Sequence, residues 1–219
     1  MLIRTLPVTA HGRYLLDVPA GNGPWPLLVG FHGYAENADV SLGEMRRIPG
    51  AGGWLVAAVQ GLHAFYSRGN ERVVASWMTR QDRELAMADN IRYVGAAIEA
   101  IAREYPLRPP LVYAGFSQGA AMAYRAAAAA GHPADGVMVL GGDVPPDLAD
   151  HDLSRFPPVL IGRGTSDTWY TKEKLDSDLA WLGARGIRAQ PFVFEGGHEW
   201  TESFREAAGK FLAQRLALR

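Results

Sequence analysis

Short apolar runs alternate with longer amphipathic segments along most of the chain. The short runs have the length of buried strands and are bounded by Gly, Pro, Asn or Asp. They occupy residues 26–31, 54–59, 111–114, 137–140, 158–162 and 189–194. Segments with helical spacing of apolar residues lie between them, at about 38–47, 82–104, 120–130, 172–185 and 200–217. Strands that alternate with helices predict an α/β fold with a mostly parallel central sheet and helices on both faces.

Two segments depart from this alternation. Residues 1–18 are predicted to form two strands, with a hairpin turn near His11-Gly12. Residues 61–80 fit no regular element and are interpreted as a long loop that leaves the carboxyl end of the preceding strand. Loops of this length are often functional, and open α/β sheets place their ligands at the carboxyl ends of strands. We therefore expect this loop beside the functional site.

The composition is that of a globular protein. The chain has 219 residues, 48% of them hydrophobic and 21% charged, with a net charge of −1. We expect one domain over residues 1–219, without a large cap domain. No basic block recommends nucleic acid or an anionic membrane as partner, and the absence of cysteine excludes disulfides and thiolate metal sites. The lack of a signal-peptide core and of ~20 consecutive apolar residues predicts a cytoplasmic protein without stable membrane insertion.

Residues 115–119 form a G-x-S-x-G pentapeptide with the sequence Gly-Phe-Ser-Gln-Gly. A strand-like run precedes it and an Ala-rich helical segment follows it, which is the setting of a nucleophile elbow. Ser117 would then lie on a tight turn with its hydroxyl exposed. A Cβ at Gly115 or Gly119 is expected to collide with the neighbouring strand or helix. The alternative is an ordinary Gly-Ser turn, since the bare pentapeptide often occurs by chance.

A serine nucleophile needs a histidine base and a carboxylate that orients the base. His198 is predicted to be the base because it lies well downstream of Ser117, in a glycine-containing loop directly after a strand. Asp143 and Asp167 both follow the carboxyl ends of predicted strands. We favour Asp167, because its strand is next in line to the histidine strand. Asp143 stays the alternative, although its position also suits an aspartate that caps a turn.

Acyl transfer places negative charge on a carbonyl oxygen, which preorganised N–H donors stabilise. One donor is predicted to be the backbone N–H of Gln118, the residue after the serine at the start of a helix. The second is predicted to be the backbone N–H of Tyr34, in the loop that follows the strand at 26–31. His32 belongs to the same loop and is not expected to be the base, because it precedes Ser117. The alternative is an ordinary loop in which His32 packs structurally.

Aromatic side chains are expected near the same edge of the sheet. Phe65, Tyr66 and Trp77 of the 61–80 loop, together with Trp169 next to the candidate acid, are predicted to wall a substrate pocket. The alternative is that these rings only pack the loop onto the body of the protein.

The 61–80 loop also carries three arginines, Arg68, Arg72 and Arg80. We interpret them as solvated surface charges. Contact with an anionic group of the substrate is the alternative.

Three motifs together resemble the phospholipase/carboxylesterase family of α/β-hydrolases, which includes the acyl-protein thioesterases. They are His32-Gly33, the pentapeptide at 115–119 and Gly196-Gly197-His198. The resemblance extends from about residue 26 to the end of the chain. It implies an α/β-hydrolase fold and a Ser-His-Asp esterase or thioesterase that acts on a small-molecule ester or thioester, with no metal and no cofactor.

The chain departs from the family pattern in two places. Ala35-Glu36 stands where the family often has Gly-Asp, and Ala120-Ala121 stands where a further glycine is common. The departures bear on the substrate and on the shape of the acyl pocket. Two other functions stay open: a non-catalytic binding module on a hydrolase fold, and a triad hydrolase that cleaves a peptide or carbon–carbon bond.

Overall fold

A seven-stranded sheet forms the centre of the computed structural model, which describes residues 1–69 and 71–218. The strands and helices follow one another as β1 Tyr14–Asp17, β2 Trp25–Phe31, α1 Ala38–Arg46, β3 Leu55–Val59, β4 His63–Tyr66, β5 Val73–Ser76, α2 Arg83–Glu104, β6 Leu107–Phe116, α3 Gln118–Ala129, β7 Gly136–Leu140, β8 Val159–Gly164, α4 Lys172–Gly183, β9 Ala189–Phe194 and α5 Glu202–Ala217. Two short 3-10 helices, Ala51–Gly53 and Pro146–Asp150, lie in the connections.

The strands of the central sheet are arranged in the order β1-β3-β2-β6-β7-β8-β9. Only the edge strand β1 runs antiparallel to its neighbour, and the other pairs in this sheet are parallel. The predicted mostly parallel sheet is therefore confirmed. Because parallel strands end at the same edge, the loops after β2, β6, β7, β8 and β9 meet there.

Helices cover both faces of the sheet, as predicted. Side chains alternate between the faces along each buried strand. In β7, for example, Val137 and Val139 join the core under α2, α3 and α4, whereas Met138 and Leu140 join the core under α1 and α5. The small residues of α3 are fully buried at Ala120, Ala123 and Ala126, so this helix approaches the sheet closely.

The helix α2 spans 22 residues and is amphipathic rather than uniformly apolar. Its buried residues include Val94, Ile98 and Ile101, which pack on the sheet, while charged residues occupy its exposed side. No helix within residues 1–69 and 71–218 combines the length and apolar character that crossing a bilayer requires. The cytoplasmic location stays a prediction.

The predicted N-terminal hairpin is wrong. The only strand before residue 25 is β1, and it pairs with β3 rather than with an earlier segment. Residues 1–12 are exposed and have no regular secondary structure. A first strand would need an apolar face to bury, and the exposed side chains of Leu2, Ile3 and Leu6 find none.

The segment 61–80 is more regular than predicted. Within it, β4 and β5 pair as a small antiparallel sheet, with His63 opposite Ser76 and Tyr66 opposite Val73. The sequence pattern missed this pair because β4 is largely exposed and shows no apolar alternation. The strand β5 also exchanges backbone hydrogen bonds with the loop after β2: Ala35 N–H donates to Ala75 O, and Ala75 N–H donates to Glu36 O. The hairpin therefore braces a loop at the functional edge of the sheet.

Candidate active site

Ser117 occupies a sharp turn between the end of β6 and the start of α3. Its φ of 53° and ψ of −118° are strained for a residue with a Cβ, at a cost of about 1–3 kcal/mol. A Cβ at Gly115 would lie 2.1 Å from the Gly119 carbonyl oxygen, and a Cβ at Gly119 would lie 2.2 Å from the Phe31 carbonyl oxygen. The turn thus requires both glycines, and the predicted strand–turn–helix geometry of the pentapeptide is confirmed.

His198 lies in the loop after β9, and its imidazole bridges Ser117 and Asp167. Nε2 is 2.9 Å from Ser117 Oγ, and Nδ1 is 2.8 Å from Asp167 Oδ2. Because an ionised carboxylate only accepts hydrogen bonds, Nδ1 carries the proton and Nε2 of the neutral ring accepts from the serine hydroxyl. Gly196, with a φ of 152°, lets the loop fold back toward the serine.

Asp167 is buried in the turn after β8 and is held as an anion. Its Oδ1 accepts hydrogen bonds from the backbone N–H groups of Trp169 at 2.8 Å and Tyr170 at 2.9 Å, and its Oδ2 accepts from His198. Burial alone would raise the pKa of Asp167. The hydrogen bonds from Tyr170, His198 and Trp169 outweigh burial and lower the pKa below the ordinary value for aspartate.

Asp143, the alternative acid, is engaged elsewhere. Its carboxylate accepts from Lys174 Nζ at 3.1 Å, and both side chains are about half exposed. The structure therefore brings Asp167, and not Asp143, to the imidazole of His198.

Gly141 is a structural requirement of the site that the sequence reasoning missed. It follows β7 with a φ of 65°, and a Cβ there would lie 2.9 Å from Cε1 and 3.0 Å from Nδ1 of His198. The signal was visible as the glycine pair at 141–142, which we interpreted only as the approach to Asp143. Any larger residue at this position would push the imidazole off its hydrogen bonds.

Tyr34, in the loop after β2, borders the same cavity as Ser117. Within residues 1–69 and 71–218, neither the Tyr34 N–H nor the Gln118 N–H donates a hydrogen bond. The loop is fixed by Glu36, whose Oε2 accepts from Gly33 N–H at 2.7 Å. Burial raises the pKa of Glu36 despite this hydrogen bond. Glu36 occupies one of the two places where the chain departs from the family pattern.

His32 packs beneath the same loop. Its Nδ1–H donates to the Gly33 carbonyl oxygen at 2.7 Å, and its Nε2 accepts from Gly61 N–H at 2.9 Å. Burial lowers the pKa of His32, which favours the neutral ring that this hydrogen-bond pattern requires. His32 thus ties the loop after β2 to the end of β3.

The side chain of Gln118 has a role that the sequence did not disclose. Its Oε1 accepts from Ser76 Oγ at 3.1 Å and from Trp77 N–H at 3.0 Å, and its Nε2 donates to the Met78 carbonyl oxygen at 3.0 Å. These bonds join the start of α3 to the end of β5 across about forty residues of chain. No local signal marks such a distant contact.

A cavity of about 690 Å³ opens beside Ser117 and His198. Tyr34 and Gln118 line it together with Trp169, so the residues predicted to hold the oxyanion border the same space as the serine. Within the described part of the chain, no three His, Asp or Glu side chains are grouped so that they could hold a metal ion. The absence of a cofactor stays a prediction.

The four predicted wall aromatics occupy different environments. Trp169 borders the cavity and is 73% exposed, and Tyr66 is 72% exposed outside it. The ring of Phe65 packs on the ring of Tyr34, which borders the cavity, with centroids 5.8 Å apart. Trp77 is fully buried, stacks on His32 and donates from Nε1 to the His32 carbonyl oxygen at 2.8 Å. The prediction that Trp77 forms a pocket wall is wrong, because burial beneath the loop keeps its ring out of the cavity.

Replacing Trp77 with phenylalanine is expected to lower the free energy of unfolding by about 1–3 kcal/mol. The substitution leaves a cavity and removes the donor to the buried His32 carbonyl oxygen. Urea unfolding monitored by far-UV circular dichroism measures the change. Trp169→Phe is the matched control and should alter stability by less than about 0.5 kcal/mol, since Trp169 is exposed. Equal effects of the two substitutions would contradict the supporting role of Trp77.

Fold and site together define the architecture of an α/β-hydrolase. No family model matches the chain, and no curated protein matches it. Solved structures do match over nearly the full length. Esterase PE8 is 22% identical, with a TM-score of 0.72 over 95% of this chain and 100% of its own.

Two further matches have the same architecture. The Bacillus cereus carboxylesterase is 17% identical, with a TM-score of 0.76 over 94% of this chain and 95% of its own. The Zea mays acyl-protein thioesterase 2 is 17% identical, with a TM-score of 0.69 over 94% of this chain and 100% of its own. The fold predicted from the motifs, that of esterases and acyl-protein thioesterases, is therefore confirmed.

Proposed function

We propose that the chain is a single-domain serine hydrolase that cleaves carboxylic esters or thioesters through a Ser117-His198-Asp167 triad. The supporting observation is the unbroken hydrogen-bonded chain from the serine hydroxyl through the imidazole to the buried carboxylate, at the mouth of a cavity. This arrangement contains a nucleophile, a base within hydrogen-bond reach and a group that orients the base.

The first half of the reaction forms an acyl-enzyme. His198 Nε2 takes the proton as Ser117 Oγ attacks the carbonyl carbon. Asp167 stays ionised, fixes the Nδ1–H tautomer and stabilises the imidazolium. Protonated His198 then donates to the departing alcohol or thiol, so the carbonyl carbon exchanges its bond to the leaving group for a bond to Oγ.

The second half returns the enzyme to its starting state. His198 deprotonates a water molecule, which attacks the acyl carbonyl carbon, and the same proton returns to Oγ as the acid leaves. In both halves the backbone N–H groups of Tyr34 and Gln118 bind the oxyanion. Such donors each contribute about 3–4 kcal/mol of transition-state stabilisation. Because Glu36, His32 and the Gln118 side chain anchor the two donors, little reorganisation accompanies the reaction.

The structural relatives support both an alcohol and a thiol as the leaving group. They include an esterase, a carboxylesterase and an acyl-protein thioesterase, and the proposed steps require only an acyl carbonyl with an oxygen or sulfur leaving group. Small-molecule esters and thioesters are therefore the proposed substrates.

A fluorophosphonate probe tests this function directly. The probe is expected to phosphonylate Ser117 stoichiometrically, because only an activated serine displaces its leaving group. Peptide mass spectrometry locates the adduct, and hydrolysis of p-nitrophenyl butyrate and of butyryl-thiocholine is followed as the site fills. Heat-denatured protein is the control and should not react. An unlabelled Ser117 in native protein would refute the proposal and favour a non-catalytic binding module. Hydrolysis that survives complete labelling would refute Ser117 as the nucleophile.

A further inference from the structure

The wall of the cavity is cationic although the whole chain is almost neutral. Arg80, Arg83, Arg125 and Lys174 line the cavity, whereas Asp143 is the single carboxylate among the described lining residues. The net charge of the chain is −1. Positive charge is thus concentrated where the substrate of the proposed function would bind.

Arg125 is the most unusual of these cations because its side chain is fully buried. Its Nε and Nη2 each donate to the Asp147 carboxylate at 2.7 Å. The remaining nitrogen, Nη1, is buried without a hydrogen-bond partner in the described part of the chain. An unsatisfied guanidinium nitrogen in a protein interior is costly. Nη1 has almost no accessible surface, so a ligand acceptor reaches it only when neighbouring lining side chains shift, and the contact would then satisfy the nitrogen.

The distance from Ser117 to Arg125 sets the length of the acyl chain that could join them. Ser117 is the N-cap of α3, and Ala121 and Arg125 follow it at intervals of four on one face of the helix. The seven residues from Gln118, where α3 begins, to Arg125 rise about 10 Å, and an arginine on a helix leans back toward the N-terminus, which shortens the span to the reacting carbonyl. The distance suits an acyl chain of several methylene groups.

Two other cations strengthen the field around this space. Arg80 and Arg83 are exposed and make no ion pair within residues 1–69 and 71–218, while Lys174 is paired with Asp143. Apolar side chains of Met78, Val144 and Pro145 complete the lining. The cavity therefore offers an apolar path that ends among positive charges.

We propose that this cavity selects esters whose acyl chain ends in a second, anionic group, a carboxylate or a phosphate-type oxyanion, which Arg125 binds through Nη1. The proposal rests on the proposed esterase function and specifies its substrate class. For Arg80 it adopts the alternative given in the sequence analysis, namely that this arginine contacts an anionic group of the substrate.

The test compares esters that differ only at the far end of the acyl chain. Monoethyl adipate carries a carboxylate where ethyl hexanoate carries a methyl group, and ethyl 5-phosphonopentanoate carries a phosphonate at the same place. Monoethyl suberate and ethyl octanoate repeat the comparison with a longer chain. We expect kcat/KM to be at least about tenfold higher for a charged ester than for its neutral partner. Comparing kcat/KM for the phosphonate ester with kcat/KM for the carboxylate ester then identifies the preferred anion.

A double variant attributes the preference to Arg125. Arg125→Gln/Asp147→Asn removes the buried pair without leaving an unpaired charge, and it should reduce the preference ratio to about threefold or less. The matched control is Arg205→Gln/Glu44→Gln, which removes another buried arginine–carboxylate pair away from the cavity lining. The control should keep the wild-type preference ratio.

A binding measurement keeps this test independent of turnover. Calorimetric titration of the Ser117→Ala variant with monoethyl adipate and ethyl hexanoate should show at least about tenfold tighter binding of the charged ester. Tighter binding without hydrolysis by the wild type would support the anion site and refute the esterase function. Hydrolysis of ethyl hexanoate without any preference for the charged esters, or a preference that survives in the Arg125 double variant, would overturn the anion site alone.

Discussion

Replacing Ser117 with alanine is expected to lower kcat for p-nitrophenyl butyrate by about 10⁴–10⁶-fold. The hydroxyl group that donates to His198 Nε2 and attacks the carbonyl carbon is then missing, so no acyl-enzyme forms. The fold should persist, because an alanine Cβ occupies the same strained turn that the serine Cβ already occupies. Initial rates measure the loss, and circular dichroism measures the fold.

The control for this substitution is a serine that does not line the cavity. Ser177 is exposed on α4, and Ser177→Ala should retain the wild-type rate. A Ser117→Ala variant that keeps a tenth or more of the activity would remove Ser117 as the nucleophile, since non-covalent assistance by the oxyanion donors cannot supply that rate.

The residues around Ser117 were predictable because their signals are local. The pentapeptide carries its own steric reason: the glycines at 115 and 119 have carbonyl oxygens about 2 Å from where a Cβ would stand. The loop of His198 likewise carries its own glycines after a strand. Parallel topology then brings the carboxyl ends of β6, β8 and β9 to one edge. Strand order and side-chain type were therefore enough to place the serine, histidine and acid together.

What could not be predicted depends on contacts between distant segments. Trp77 has the same local surroundings as a pocket aromatic, and only its hydrogen bond to the His32 carbonyl oxygen shows that the ring turns inward. The pairing of β4 with β5 was hidden because neither apolar alternation nor a short turn marks it. The partnership of Arg125 with Asp147 joins a helix to a later 3-10 helix. Such pairings follow from tertiary packing and leave no periodic trace in the sequence.

The same distinction explains the two aspartates. Asp143 and Asp167 both follow a strand and a glycine, so local sequence does not separate them, and only the expected order of the strands favoured Asp167. The structure separates them by burial and partners: Asp167 is enclosed and accepts two backbone N–H groups, whereas Asp143 faces solvent and pairs with Lys174. Burial raises the pKa of Asp167, but hydrogen bonds from Tyr170, His198 and Trp169 outweigh it and lower the pKa of this carboxylate below its ordinary value.

We therefore expect Asp167→Asn to lower kcat by about 10³–10⁴-fold, and Asp143→Asn to change it by less than about tenfold. An asparagine at 167 presents an amide that can donate to His198 Nδ1, which favours the tautomer whose Nε2–H cannot accept the serine proton. It also removes the negative charge that stabilises the imidazolium. Loss of the exposed Asp143–Lys174 pair leaves the tautomer untouched. Steady-state kinetics of the two purified variants, with circular dichroism for the fold, make the comparison.

The reverse ranking would have a specific physical meaning. If Asp143→Asn were the slower variant, the Asp143 carboxylate would have to leave Lys174 and bind His198 during turnover. The buried Asp167 carboxylate would then contribute to stability alone. A stability measurement does not separate these cases, because the lowered pKa of Asp167 gives the ionised form a stabilising contribution in both of them. That contribution is present above the unfolded pKa of about 3.9 and is lost as pH falls through the lower folded pKa. The difference in unfolding free energy between wild type and Asp167→Asn should therefore shrink in acid, whichever residue serves catalysis, so only the kinetic ranking decides the identity of the acid.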